Sequence, residues 1–216
     1  MKVLITFPRS GSSWVKKYID NHNSLYNSIV PLGDYFGDAI MKRDNRTCLQ
    51  TIDWLNSERA LSREYSIKYF TYHQPIINHT DWWNSFYSSS EIIYLERKNT
   101  WRMFLSYLMQ EHSKWTKHNA RSEEDVSSFS SIKPFMATKD SVEIWCNRYN
   151  THKLINIPRI DSRLYYEDLT DEFLRDFFKI PQQKKVKNYI PYSTINYEDY
   201  ILNIDEIREI YNTCIS

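Results

Sequence analysis

Glycine is nearly missing from this chain, with three among 216 residues, against an average usage of about 7%. Backbone freedom is therefore scarce, and each glycine marks a place where the chain turns sharply or comes close to something. Gly33 and Gly37 lie in the turn-rich stretch Pro31–Gly37, and Gly11 lies in a short loop near the start. Cysteine is also sparse. Cys48, Cys146 and Cys214 are odd in number and far apart, which excludes a disulfide framework or a zinc-ligand spacing and points to buried thiols in a reducing compartment. No clustered set of metal-ligand residues is evident, so no metal is expected. No apolar run is long enough for a signal peptide or a membrane span, so the expected location is the cytoplasm. Charge of either sign is not in surplus: 28 Lys and Arg face 27 Asp and Glu. That removes a general basic field for nucleic acid and leaves any anion site to be a local one.

What is abundant is aromatic: 17 Tyr, 10 Phe and 7 Trp, suited to a packed core with polar handles and to binding rings or sugars. Apolar runs at Val3–Phe7, Ile67–Tyr72, Ile92–Leu95 and Arg163–Tyr166 read as strands. Helical spacing marks Trp14–Ile19, Thr51–Arg63, Trp101–Leu108, Val142–Tyr149, Thr170–Phe178 and Ile204–Tyr211. Strands alternating with helices predict one α/β domain over 1–216, a three-layer fold with a mainly parallel sheet flanked by helices. No internal repeat is visible. The polar, Ser-rich stretch 117–136 is expected to form a mobile lid loop, and 184–197 is irregular and basic at its start.

Two basic corners stand at strand ends, where ligands of such sheets gather. The first is Thr6-Phe7-Pro8-Arg9-Ser10-Gly11-Ser12-Ser13-Trp14. It combines a fixed cation, several hydroxyls and the positive end of a helix that Ser12 or Ser13 would cap. Gly11 is expected to let the backbone approach a phosphate. The second is Glu96-Arg97-Lys98-Asn99 with Arg102 and Ser106. Lys98, Arg102 and Ser106 recur every fourth residue and predict one polar stripe on a helix. A ligand with two separated phosphates would meet both corners.

These residues resemble the PAPS-dependent sulfotransferases, more closely the bacterial and carbohydrate-type members than the cytosolic phenol-type ones. The first corner is similar to the family's 5′-phosphosulfate loop, and Ile93–Tyr107 to its 3′-phosphate motif. Tyr166-Glu167-Asp168-Leu169 and Ile195-Asn196-Tyr197-Glu198-Asp199 resemble two later segments. The resemblance implies a P-loop-like fold, PAPS as the sulfuryl donor with PAP as product, and no metal. It also implies cofactor contacts from Arg9, Ser10, Gly11, Ser12, Ser13, Trp14, Arg97, Lys98 and Ser106. Arg9 would also be catalytic.

The family's arginine stands eight residues before its serine, a slot held here by Lys98, while Arg97 occupies the strand end. Both are expected near the 3′-phosphate, with Arg97 favoured for a bidentate contact. The proline that follows the family's arginine is absent, and so is the C-terminal glycine-rich segment, near Lys184, Lys185 and Lys187 here. Two residues compete as base for the acceptor. His73 stands in Thr71-Tyr72-His73-Gln74-Pro75 and titrates near neutrality if unperturbed. Asp34 stands in Leu32-Gly33-Asp34-Tyr35-Phe36 and would need a raised pKa. The acceptor is a small molecule, glycan or peptide, and neither it nor the oligomeric state is legible. Two alternatives remain open, a P-loop-like nucleotide kinase, which would lack its Gly-Lys-Ser/Thr signature, and a non-catalytic nucleotide-binding relic of the fold.

Overall fold

The computed structural model describes residues 2–16, 18, 32–33, 45, 47, 50, 53–54, 57, 66–70, 91–113, 132–154, 157, 159–179 and 195–215. The chain is an α/β protein that divides into two compact units, Met1–Lys98 with Ile155–Gln182, and Asn99–Leu154 with Gln183–Ser216.

The first unit is built on a five-stranded sheet of β1 (Lys2–Thr6), β2 (Leu32–Gly33), β3 (Ser66–Phe70), β4 (Glu91–Glu96) and β5 (Ser162–Tyr165), in the order β2-β3-β1-β4-β5. Every pairing is parallel. The central β1 has Val3, Leu4 and Ile5 all buried, the continuous apolar run expected of a parallel strand covered on both faces. Register places Leu4 beside Ile93 and Leu95 beside Leu164, so these share one face. That face packs with Val15 and Tyr18 of the first helix, α1 (residues 12–16 and 18), and with Leu174 of α4 (Asp171–Phe177). Thr170 caps α4 by accepting from Phe173 N–H at 3.0 Å, as its position predicts. The Tyr18 phenol donates to the Asp171 carbonyl at 2.9 Å, and burial, aided by Asp171, pushes its pKa up to about 12.

The strand order has a functional corollary. The chain leaves β1 for one side of the sheet, toward β2, whereas β4 leads to β5 on the other side. The carboxyl ends of β1 and β4 therefore flank the switch point where open α/β sheets bind ligands.

The second unit is helical: α2 (Thr100–Ser113), α3 (Lys139–Lys153) and α5 (Ile204–Ile215), with a 3-10 turn at Tyr197–Tyr200. Asn99 caps α2, its side chain accepting from Arg102 N–H at 2.8 Å and its carbonyl from Met103 N–H at 3.1 Å. Thr138 caps α3 through Ser141 N–H. Trp101, Phe104, Trp145, Tyr149 and Tyr211 form an aromatic core with ring centroids 4.9–5.6 Å apart. Glu198 accepts from Trp101 Nε1 at 2.7 Å and from Arg208 at 2.8 Å.

Several expectations are corrected. Leu32–Gly33 is a strand paired with Ser66–Ile67, not only part of a turn, because two residues are too few to show a period. Lys98 precedes α2, and Met103–Met109 is buried without a break. Hence Lys98, Arg102 and Ser106 do not form one polar stripe on that helix. At the far end of the expected lid loop, Phe135 is pinned by backbone bonds to Tyr200 and Leu202, both 2.9 Å; residues 117–131 lie outside the described residues. None of the described helices is long and apolar enough to cross a membrane.

Candidate anion-binding site

The loop after β1 is closed by its own polar groups. The Thr6 hydroxyl, fully buried, donates to the Leu95 carbonyl at 3.1 Å and ties the end of β1 to β4. Ser10 is 1% exposed. Its hydroxyl bonds the Phe7 carbonyl at 2.6 Å and meets the Thr6 hydroxyl, while its N–H reaches the Phe7 carbonyl at 3.3 Å. Ser10 therefore builds the turn, with its hydroxyl directed back to β1.

Arg9 follows with φ of 69°, a left-handed conformation costly for a residue with a Cβ. Such a residue persists only where its surroundings hold it, and the place is often functional. Gly11 has φ of 91°. A Cβ there would stand 2.1 Å from Cδ2 of Tyr166. The close approach of the Tyr166 ring by itself requires glycine here. The Gly11 carbonyl accepts from Trp14 N–H at 2.9 Å and Val15 N–H at 3.2 Å. Gly11, not Ser12 or Ser13, is the residue at the cap of α1. Ser12 and Ser13 occupy the first turn, where backbone N–H groups have no intrahelical acceptor. Ser12 is buried and Ser13 half-buried. Trp14 packs toward the core, 6.3 Å from the rings of Tyr18 and Tyr166.

The second corner meets the first through one bond. Arg97, directly after β4 and with a side chain only 8% exposed, donates from Nη1 to the Arg9 carbonyl at 3.1 Å. Its guanidinium lies 4.8 Å above the Tyr166 ring, and its Nε is 3.6 Å from Glu167 Oε1. Lys98 turns outward. Its ammonium donates to both Asp168 oxygens at 2.7 Å, and its backbone N–H donates to Glu167 Oε2 at 2.9 Å. The bond to Asp168, with the charges of Asp168 and Glu167, raises the Lys98 pKa.

The residues that organise both corners thus come from a third strand end, the 3-10 turn Tyr166–Asp168 after β5. In the sequence they stand out only as a segment that resembles one of the sulfotransferases, without a role. Two cations, Arg97 and Lys98, are paired with two carboxylates, Glu167 and Asp168. The arrangement can take an anion at the loop, where the first-turn amides of α1 have no intrahelical acceptor.

Ser106 belongs to the helical unit and is 4% exposed. Arg102, in the same unit, donates to the Ile195 carbonyl at 2.8 Å and lies 5.0 Å over the Tyr197 ring. Both candidate bases, Asp34 and His73, lie outside the described residues, as do Lys184, Lys185 and Lys187. No protein-family model matches the chain, and no curated protein matches it significantly.

Proposed function

We propose that the chain is a PAPS-dependent sulfotransferase whose 5′-phosphosulfate loop is 7–13. One observation carries the reading: at the β1/β4 switch point, a loop with left-handed residues at Arg9 and Gly11 opens a helix, and Arg97 from the neighbouring strand end holds its carbonyl. This is the chemistry of an anion cradle set at the strand ends where such sheets bind nucleotides. The sequence resemblance supplies the particular anion.

The residues present fit that donor unequally. The loop fits a phosphate. The Arg97–Lys98 corner has its cations engaged by Glu167 and Asp168. Lys98, exposed and outward-facing, is the one that can turn to a 3′-phosphate. PAPS would bring the sulfuryl group and a phosphate that leaves from it. Arg9 and the Ser12 and Ser13 amides place positive charge where that leaving group gathers negative charge, and Ser13 can add its hydroxyl. His73 or Asp34 would take the proton of the acceptor, a small molecule, glycan or peptide.

A second reading, nucleotide binding without transfer, has the engaged Arg97 and Lys98 in its favour. Calorimetry with PAP and with ATP comes first, since binding of ATP with none of PAP refutes the sulfotransferase reading and supports a kinase. Transfer of labelled sulfate from PAPS across an acceptor panel separates enzyme from relic. In the enzyme, Arg9→Ala should lower turnover by about a hundredfold or more with the fold intact.

A further inference from the structure

The turn after β5 holds the loop after β1, although the two are more than 150 residues apart in the chain. Tyr166 fills the space a Cβ would need at Gly11, and the same ring supports the Arg97 guanidinium at 4.8 Å. Glu167 divides its two oxygens: Oε1 lies 3.6 Å from Arg97 Nε and Oε2 accepts from Lys98 N–H at 2.9 Å. Arg97, aimed in this way, bonds the carbonyl of Arg9, the residue in the left-handed conformation.

The chain of contacts is Glu167 to Arg97 to Arg9, with Tyr166 packed against the second link and against Gly11. A guanidinium suits the middle position, because its rigid plane can keep one nitrogen in ion-pair range of a carboxylate, here at 3.6 Å, while another donates its N–H to a carbonyl. An ammonium offers one point charge and cannot span both.

We infer that Glu167 and Tyr166 are positioning residues of the anion loop, acting through Arg97 on the Arg9 carbonyl. Glu167 sets the guanidinium's direction and Tyr166 its height, and together they hold the loop in its left-handed form before any anion arrives. Preorganisation of this kind saves the anion the cost of ordering the loop. The inference deepens the proposed function and rests on it for the identity of the anion, but the ordering of the loop is measurable without a ligand.

The test is hydrogen exchange of the amides of residues 9–14 in the whole chain, compared among wild type, Glu167→Gln, Glu167→Ala and Arg97→Lys, with Asp176→Asn as a charge control on the exposed side of α4. Loop amides should exchange about tenfold faster in Glu167→Ala and Arg97→Lys, the scale of one charge-assisted hydrogen bond. In Glu167→Gln, which keeps an acceptor for Lys98 N–H, they should exchange by less. The control should match wild type. Exchange across β1 and β4 reports whether each variant is folded; if Glu167→Ala is not, Glu167→Gln and Arg97→Lys carry the test.

Loop exchange unchanged in the folded variants overturns the inference, and so does acceleration spread evenly over the sheet. PAP affinity on the same proteins is the second readout, expected to fall about tenfold with faster loop exchange. Wild type that does not bind PAP would sink the sulfotransferase reading, while the exchange data would still judge the positioning role.

Discussion

Arg97 in the sheet unit and Arg102 in the helical unit stand five residues apart and are used alike. Each lies over a tyrosine ring, at 4.8 Å and 5.0 Å, and each donates to a backbone carbonyl, at 3.1 Å and 2.8 Å. What lies beyond the carbonyl differs. Arg102 reaches Ile195, at the entry to a turn whose Glu198 ties Trp101 to Arg208, so it serves an aromatic core. Arg97 reaches Arg9 in a loop with left-handed backbone at a helix start. A basic residue near a strand end can thus be a strut for backbone as readily as a ligand for an anion. Its partner tells which, and whether the segment it supports is core or site.

The comparison makes the helical unit answer to packing and the corner to backbone geometry. The largest effect should come from Trp145→Ala, which empties the middle of the aromatic core and costs about 4 kcal/mol in denaturant unfolding; a cost below about 1 kcal/mol would show that the core tolerates a void.

Next is Gly11→Ala. It imposes a Cβ at φ of 91° and against the Tyr166 ring, for a loss of about 3 kcal/mol together with loss of the PAP binding proposed above. If Gly11→Ala bound PAP normally, the corner would not depend on that approach.

A pH series sharpens the helical side further. Burial holds the His152 imidazole down at about 4, against an ordinary 6.5. The unfolded chain therefore takes up the proton first as pH falls. Stability is full above pH 6.5 and declines toward pH 4, by up to about 3 kcal/mol. Urea midpoints across that range should slope in wild type and flatten in His152→Leu; equal slopes would remove His152 as the cause.

Smallest is Lys98→Met, which breaks an exposed pair with Asp168 and should leave the unfolding midpoint in place. A marked drop would mean that the outward-facing cation matters to the corner as much as Arg97 does.

Much of the scaffold was legible. The runs at β1, β3, β4 and β5 announce parallel strands, and helical spacing announces α2, α3 and α5, because a regular backbone writes a period into the sequence. β2 was not legible, since its two residues carry no period. At the site, the sequence marks the loop 7–13 as a candidate anion cradle, but it does not show how the site's residues are used in the fold: Gly11 lies against Tyr166, the Ser10 hydroxyl closes the turn, and Lys98 precedes α2 and pairs with Asp168. Each residue type has two uses, in binding and in building, and only the neighbour across the fold decides between them.

The sequence by itself determined that the chain is α/β, that β1 is a buried strand, and that a basic, hydroxyl-rich loop follows it, because those properties depend on local composition and period. The tertiary structure alone decided that β1 lies between β3 and β4, that Arg97 holds the Arg9 carbonyl, and that Tyr166, Glu167 and Asp168 organise the corner. Those facts depend on which distant segments meet, and side-chain contacts made across more than 60 residues leave no periodic trace in the chain.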